Sequence, residues 1–275
     1  MNRLAAMRLA QVGGVLVLVV LLAAVVASVA APYSPTQQDI RNLLRPPSVT
    51  HPLGTDELGR DTLTRVMYGA RASLEVGIIA VGISLVIGSA LGLVAGYLRG
   101  VTDATLMRVM DGLLALPTLV LALAITAMLG PSLNNAMLAI GITGVPIFAR
   151  LVRGQVLSVR ELDFVQAARS LGAGHVRMIR RHILPNVLSP IVVQASLAMP
   201  TAILAEAGLS FLGLGVQPPT PSWGAMLNTA KGYLQQDAWL AVAPGTAIFI
   251  TVLGFNFLGD AVRDALDPRL RRIAG

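Results

Sequence analysis

The chain has 275 residues, of which 55% are apolar and only 13% are charged, whereas soluble domains contain about 25% charged residues. This composition excludes an ordinary soluble enzyme. The net charge of +7 would suggest a nucleic-acid partner, but a mean hydropathy of +0.71 argues against that class of protein. The chain has no cysteine, which excludes disulfides and thiolate metal sites, and no phosphate-binding loop surrounds its one lysine, Lys231.

Long stretches without charged residues indicate the membrane-spanning segments, since one span needs about 20 apolar residues. Turn and proline clusters divide the longer stretches. We predict an all-α integral membrane protein with six transmembrane helices, at residues 9–30, 76–98, 109–129, 134–153, 187–206 and 239–260. Residues 207–230 contain Pro218, Pro219 and Pro221, which a buried helix does not tolerate so close together. They are expected to form a short apolar helix and a loop.

The distribution of basic residues predicts the orientation in the membrane. With the N-terminus inside, 15 of the 21 basic residues lie on the cytoplasmic side, as the positive-inside rule requires. Both termini are therefore predicted to be cytoplasmic. The first 31 residues also resemble a cleavable secretory signal, but the apolar stretch from Leu9 to Ala31 exceeds the roughly 7–15 residues of a signal core. An uncleaved anchor is favoured.

These patterns divide the chain into four parts. An anchor helix occupies residues 1–31, and a structured extracytoplasmic loop follows at 32–73. A domain of five membrane helices spans residues 74–265 and contains a long inner loop at 154–186. A short cytoplasmic tail is predicted at 266–275.

The second span carries small residues at a strict four-residue spacing, which clears a groove for close approach of another helix. The groove could serve packing within this chain or against another one. Prolines recur in or near the later spans, and kinked helices suit a moving pathway better than a static anchor. The small residues are Ser84, Gly88, Gly92 and Gly96, and the prolines are Pro117, Pro146, Pro190, Pro200 and Pro244.

Three polar residues at membrane depth are candidates for a pathway or a gate, because polar groups are costly there. They are Gln194, Glu206 and Asn256. Glu206 lies at the outer end of the predicted fifth span. The alternative for Glu206 is an interfacial carboxylate that reaches headgroup water or caps the next short helix.

The inner loop at 154–186 is too long and too regular for a simple connection. Asp163 is predicted to cap a helix, with Gln166 three residues further on as the second member of a capping box. This helix has one small apolar face and stops at Gly172. The apolar face consists of Phe164, Ala167, Ala168 and Leu171.

A second helix is predicted from His175 to Ile183, ended by Pro185. Its exposed arginines are Arg177, Arg180 and Arg181. A small apolar face near several arginines is typical of a docking surface for another protein. The alternative is a membrane-surface helix held by anionic lipid, which an alanine-rich face disfavours.

At this loop the sequence resembles a known family. Gln166-Ala167-Ala168, Gly172 and Leu184-Pro185 are similar to the EAA motif of ATP-binding-cassette importer permeases, which has Glu-Ala-Ala, three residues, Gly, and Leu-Pro twelve residues after that glycine. Gln166 replaces the glutamate, and His182 stands where isoleucine is common. Residues 51–71, 206–226 and 259–269 resemble the C-type permease subunit of dipeptide, oligopeptide and nickel importers. The resemblance extends over about residues 45–270.

The resemblance implies a permease subunit of the bacterial cytoplasmic (inner) membrane that forms half of a translocation pathway for di- or oligopeptides. The implied partners are a B-type permease subunit, two cytoplasmic ATPases, an extracytoplasmic solute-binding protein and membrane lipid. ATP and Mg²⁺ would be bound by the ATPases, and this chain is expected to hold no cofactor, metal or nucleic acid and to have no catalytic residue. The residues expected to couple it to the ATPases are Phe164, Gln166, Ala167, Ala168, Leu171, Gly172, Leu184 and Pro185.

Two alternatives remain at this stage. One is the same role for nickel or another small ligand, although His175 and His182 lie in the inner loop and no histidine cluster marks a metal pathway. The other, from a different class, is a membrane receptor or scaffold that transports nothing. The regular loop and the kinked spans disfavour it.

Overall fold

The computed structural model describes residues 3–266, with side chains from residue 8 onward. Within that range the chain is helical, apart from loops and one isolated β-bridge between Thr55 and Asp61. The predicted all-α membrane fold is confirmed. The helices are α1 (Arg3–Ala30), α2 (Thr62–Leu98), α3 (Gly100–Leu114), α4 (Thr118–Leu129), α5 (Leu133–Val159), α6 (Asp163–Ser170), α7 (His175–Arg177), α8 (Leu184–Phe211), α9 (Trp223–Ala230) and α10 (Trp239–Leu266). The predicted tail beyond Leu266 lies outside the described residues.

Five segments of the described chain are long and apolar enough to span a membrane, and α3 with α4 would make a sixth, broken span. The span predicted over 109–129, with Pro117 as one of its kinking prolines, is divided into two helices, because the axes of α3 and α4 differ by 89°. Pro117 lies directly before α4 in an extended conformation and has no N–H to continue the hydrogen bonds of α3. The five continuous segments are Arg8–Ala30, Thr62–Leu98, Leu133–Val159, His175–Phe211 and Trp239–Leu266.

The second span begins earlier than predicted, at Thr62 instead of residue 76. Asp61 starts it, since its Oδ2 accepts hydrogen bonds from the backbone N–H and the hydroxyl of Thr64, both at 2.8 Å. A side chain that accepts from the first turn of a helix satisfies a donor that would otherwise have no partner. The predicted boundary between loop and membrane domain at 73/74 therefore lies inside α2.

The fifth span also differs from its prediction, because Pro185 does not end the helix that starts at His175. A π-helical stretch, Met178–Ile183, leads directly into α8, and the Leu184 N–H bonds to the Ile179 carbonyl. Such a wider turn changes the register of the backbone hydrogen bonds, and Pro185 then occupies the first turn of α8, where proline is tolerated. α8 continues to Phe211, past the predicted end at residue 206.

The most extensive packing in the molecule is between α2 and α5. The glycines of the α2 stripe face α5 so closely that a Cβ on Gly88 would lie 2.6 Å from the Val145 carbonyl oxygen, and one on Gly96 would lie 2.8 Å from the Val156 Cβ. Ser84 Oγ donates to the Gly141 carbonyl at 2.7 Å. The stripe thus lets two backbones approach within this chain.

The loop between α1 and α2 is held by buried charges. Arg60 Nε lies 2.6 Å from Asp56 Oδ2, and Arg65 Nε lies 3.3 Å from the same oxygen. Arg60 NH2 also donates to Glu57 Oε1 at 2.7 Å. Burial of Glu57 and the neighbouring Asp56 carboxylate raise the pKa of the Glu57 carboxyl above its usual value. A Cβ at Gly59, which has φ +70°, would lie only 1.9 Å from the Asp39 carbonyl oxygen, so this turn requires glycine.

Candidate docking helix and membrane cavity

α6 carries the predicted docking face, and most of that face is exposed. The side chains of Phe164 and Leu171 are 45% and 89% exposed, and Ala167 between them is also exposed. Ala168 departs from the prediction, because it is half-buried against the core beside α6. The exposed docking face therefore consists of Phe164, Ala167 and Leu171, with the Phe164 ring partly covered beside His182.

The opposite side of α6 is anchored. Val165 is only 3% exposed and belongs to an apolar cluster with residues of α5, of the π-helical stretch and of α8. The other members of this cluster are Val152, Val156, Val159, Met178, Ile183, Val187 and Ile191. A short helix with one buried side chain and an exposed apolar face is positioned for contact with a partner.

The predicted capping box at Asp163 and Gln166 is wrong. α6 begins at Asp163 itself, Leu162 occupies the cap position, and no side chain caps the helix. The Gln166 carboxamide donates through Nε2 to the Arg160 carbonyl at 2.9 Å. A glutamate could not make that bond, because an ionised carboxylate only accepts.

Hydrogen bonds also connect this segment to the end of α2. Arg160 NH1 donates to the carbonyls of Gly96 and Tyr97, at 3.3 and 3.1 Å. The Tyr97 hydroxyl and His175 Nδ1 are 2.7 Å apart. Gly172 has φ +77° after α6, which an L side chain rarely adopts. Sequence reasoning missed Tyr97, Arg160 and His175 as contacts, since their partners lie far away in the chain.

A cavity of about 440 Å³ lies between α2, α4, α5 and α8. Most of its lining is apolar, and the polar groups are spread around it. Gln194 lines this cavity, whereas Glu206 and Asn256 do not. The polar side chains in its wall are Ser84, Thr118, Thr143, Gln194 and Thr201. The structure therefore does not bring the three candidate pathway residues together: Asn256 is exposed on α10, and Glu206 is buried elsewhere.

Glu206 is fully buried, so its interpretation as an interfacial or capping carboxylate is wrong. Its Oε2 accepts from Ser73 Oγ of α2 at 3.1 Å, and its Oε1 accepts from Ser210 Oγ at 2.7 Å. Ser210 Oγ in turn accepts from the Val216 N–H at 3.0 Å. Glu206 thus links α2, α8 and the loop that follows α8. The contact between Glu206 and Ser73 could not be predicted from the sequence, because the two residues are 133 positions apart.

A bundle of membrane helices that surrounds an apolar cavity and exposes a short anchored helix between two spans defines the membrane subunit of a transporter. The chain belongs to the family of binding-protein-dependent transport system inner membrane components, whose model matches residues 88–272. The N-terminal TM domain of oligopeptide transport permease C matches residues 1–47. The chain is accordingly a non-catalytic, multi-pass permease subunit of the inner membrane.

Its relatives match it over nearly the whole length. The dipeptide transport system permease of Alkalihalophilus pseudofirmus is 48% identical, over 96% of this chain and 87% of the relative. The di/tripeptide transport system permease of Pseudomonas aeruginosa is 46% identical, over 95% and 89%. The glutathione transport system permease of Pectobacterium atrosepticum is 44% identical, over 95% and 87%. The inward-facing MetNI methionine ABC transporter shares the fold, with a TM-score of 0.61 at 19% identity, over 74% of this chain and 96% of that one.

Proposed function

We propose that this chain forms one half of the membrane pathway of an ATP-driven importer for di- or oligopeptides. Its relatives are named as permeases of transport systems for dipeptides, for di- or tripeptides and for glutathione. These names support peptides as the substrate class. The observation that carries the proposal is the anchored helix α6 with its exposed face of Phe164, Ala167 and Leu171. An apolar face of this kind on the inner side of the membrane fits a cleft of an ATPase subunit.

In the proposed mechanism both termini and α6 are cytoplasmic, and two ATPase subunits bind the ATP and Mg²⁺. Their closure displaces α6, whose contacts with α5 and the end of α2 transmit the movement to the spans. The membrane cavity then opens alternately to the two sides, as a rigid-body transition between two states. A B-type permease subunit supplies the other half of the pathway, and a solute-binding protein delivers the peptide at the opposite surface.

Gln194 is the pathway residue that the geometry supports, because it lines the cavity between α2, α4, α5 and α8. Its carboxamide offers both a donor and an acceptor to a peptide group. Substrate sites are typically apolar with a few placed polar groups, and this cavity has that composition. Glu206 and Asn256 do not line this cavity. Of the three candidate residues we therefore assign only Gln194 to the pathway.

The substrate class is tested with the complex purified through an affinity tag on this chain and reconstituted in proteoliposomes. Di- and tripeptides presented with the solute-binding protein should raise the rate of ATP hydrolysis, and peptide should accumulate inside. Nickel ions are the comparison, because the same family includes nickel importers. Stimulation by nickel and not by any peptide would contradict the peptide assignment.

The docking surface is tested by Leu171→Asp, with Val176→Asp as the matched control. Both side chains are exposed, at 89% and 65%, so neither substitution should unfold the permease. Only Leu171 belongs to the docking face, and a charge there should abolish ATPase association and transport. If the Leu171→Asp permease still copurifies with its ATPases and transports at the normal rate, the docking assignment is wrong.

A further inference from the structure

A second cavity, of about 220 Å³, lies behind α6, between this helix, the end of α2 and the segment that begins at His175. Five of its lining residues carry side-chain hydrogen-bond donors: Tyr97, Arg160, Gln166, Arg169 and His175. The residues that line it include no Asp or Glu. The proposed transport cycle does not use this cavity, which is separate from both the docking face and the membrane cavity.

Helix geometry places Arg169 on the cavity side. Arg169 follows the buried Val165 by four residues, so both lie on one face of α6, whereas Phe164, Ala167 and Leu171 lie on another. Val165 and Arg169 both line the cavity. An ATPase subunit seated on the docking face would therefore leave Arg169 directed away from it.

The other donors are already held in place. Arg160 is fixed by the NH1 bonds to the Gly96 and Tyr97 carbonyls and by an ion pair of its Nε with Glu161 at 3.6 Å, which leaves its NH2 group to donate to a ligand. The Tyr97 hydroxyl and His175 Nδ1 are 2.7 Å apart. In the tautomer in which Tyr97 donates its proton to Nδ1, the Nε2–H of His175 is the group that donates to a ligand. Two guanidinium groups and an oriented imidazole thus surround one space.

We propose that this cavity binds a phosphate-bearing anion. The planar fork of Arg169 matches phosphate oxygens with two parallel hydrogen bonds, and the NH2 group of Arg160 can add a further bond from the other wall of the cavity. A volume of 220 Å³ accommodates a phosphate group with several waters, since one water takes up roughly 30 Å³.

The bound phosphate would bridge Arg169 of α6 to Arg160, which holds the end of α2. Occupancy would therefore fix the position of α6 relative to the membrane helices. The phosphate can belong to an anionic lipid headgroup or be free in solution. The two sources share the same chemistry, and the experiment separates them.

The test compares the full transport complex, purified through a tag on this chain, with its Arg169→Gln variant and an Arg180→Gln control. Arg180 is exposed and does not line the cavity, so the control removes the same charge from the same segment. In the first arm, nanodiscs contain phosphatidylglycerol or phosphatidylcholine, and retained lipid is counted by native mass spectrometry. In the second arm, inorganic phosphate is titrated into the delipidated complex and its binding is measured by calorimetry.

Loss of a charge-assisted hydrogen bond of about 1.5–3 kcal/mol predicts at least a roughly tenfold weaker affinity for Arg169→Gln. A drop in phosphatidylglycerol retention confined to Arg169→Gln identifies the lipid headgroup as the source. A drop in phosphate affinity confined to that variant identifies free phosphate. Equal binding by Arg169→Gln and Arg180→Gln in both arms, or no binding by the unmodified complex, overturns the proposal. Arg169→Lys keeps the positive charge but has no planar fork, so it should give an intermediate affinity. This variant replaces Arg169→Gln in the test if Arg169→Gln fails to fold.

Discussion

Gly92→Ala tests whether the small-residue stripe determines how closely α2 packs on α5. A Cβ at Gly92 would lie 2.4 Å from the Ala149 carbonyl oxygen, 2.9 Å from the Val152 Cβ and 3.0 Å from the Arg153 backbone nitrogen. These atoms are backbone atoms or are bonded directly to the backbone, so no side-chain rotation removes the overlap. The two helices must separate to accommodate one methyl group.

The magnitude follows from that separation. Ordinary contacts of a Cβ are at 3.4–4 Å, so the backbones must move by about 1 Å at this point. Overpacking of a close interface costs about 1–3 kcal/mol. Alanine in place of a helical glycine stabilises the helix by roughly 0.5–1 kcal/mol. The net effect is a loss of about 0–2.5 kcal/mol in the free energy of unfolding, and the overlap with backbone atoms favours the upper part of that range.

Gly82→Ala provides the matched control in the same helix, since a Cβ there meets no atom within 4 Å. The two variants and the unmodified permease are purified in the same detergent, and their apparent melting temperatures are compared. Gly92→Ala should melt below the unmodified permease, and Gly82→Ala should melt at or above it. Equal melting temperatures for the two variants would refute the argument that the stripe is needed for the approach of α5.

Three further predictions concern buried polar groups and use the same thermal assay. Glu206→Ala removes the acceptor of two buried hydroxyls and leaves a void, which should cost about 2–4 kcal/mol. Glu206→Gln keeps an acceptor and should lose less; an equal loss would show that the hydrogen bonds do not matter. Asp61→Ala removes the cap of α2 and should cost about 1 kcal/mol, whereas Asp61→Ser keeps a capping hydroxyl and should restore most of it. An equal loss in both variants would show that Asp61 acts through its 2.9 Å contact with His51 Nδ1 and not as a cap. The raised pKa of Glu57 stabilises the fold below about pH 4.5 and loses that effect as the pH rises through the raised value. Glu57→Gln should flatten this part of the pH profile, and an unchanged profile would exclude Glu57 as its source.

The sequence predicted the membrane fold because charge is excluded from apolar spans, and it predicted helix ends less well. The α2 start was missed because Asp61 and the polar first turn lie outside the charge-free stretch. The helix end predicted at Pro185 was wrong because the π-helical stretch Met178–Ile183 shifts the register of the backbone hydrogen bonds. No residue pattern in the sequence predicts that shift. Pro117 was predicted to kink its span, but the full break before Thr118, with its 89° bend, was not predicted because Pro117 lies within a continuous apolar stretch.

In the candidate sites, features that depend on neighbouring residues were predicted, and contacts with residues far away in the chain were not. Motif spacing predicted the helix of residues 163–170 and the break at Gly172, because both depend on neighbouring residues. The bond of Gln166 was misassigned, since its acceptor is decided by the turn at Arg160 and not by the helix. The burial of Glu206 depends on Ser73 of another helix, so its sequence position alone could not reveal it.

The contacts of α6 indicate how the proposed coupling movement would reach the membrane. Arg160 is central to this connection, because its guanidinium holds the carbonyls at the end of α2 while its own carbonyl accepts from Gln166 of α6. Val165 lies in an apolar cluster with residues of α5, the π-helical stretch and α8, and the glycine stripe joins α5 to α2 along their length. We therefore expect α2 and α5 to move as one body and α6 to transmit its displacement to them through Arg160. The conformational change must then be absorbed elsewhere, and the 89° bend before α4 and the prolines inside α8 and α10 are the positions where regular helical hydrogen bonds are already interrupted.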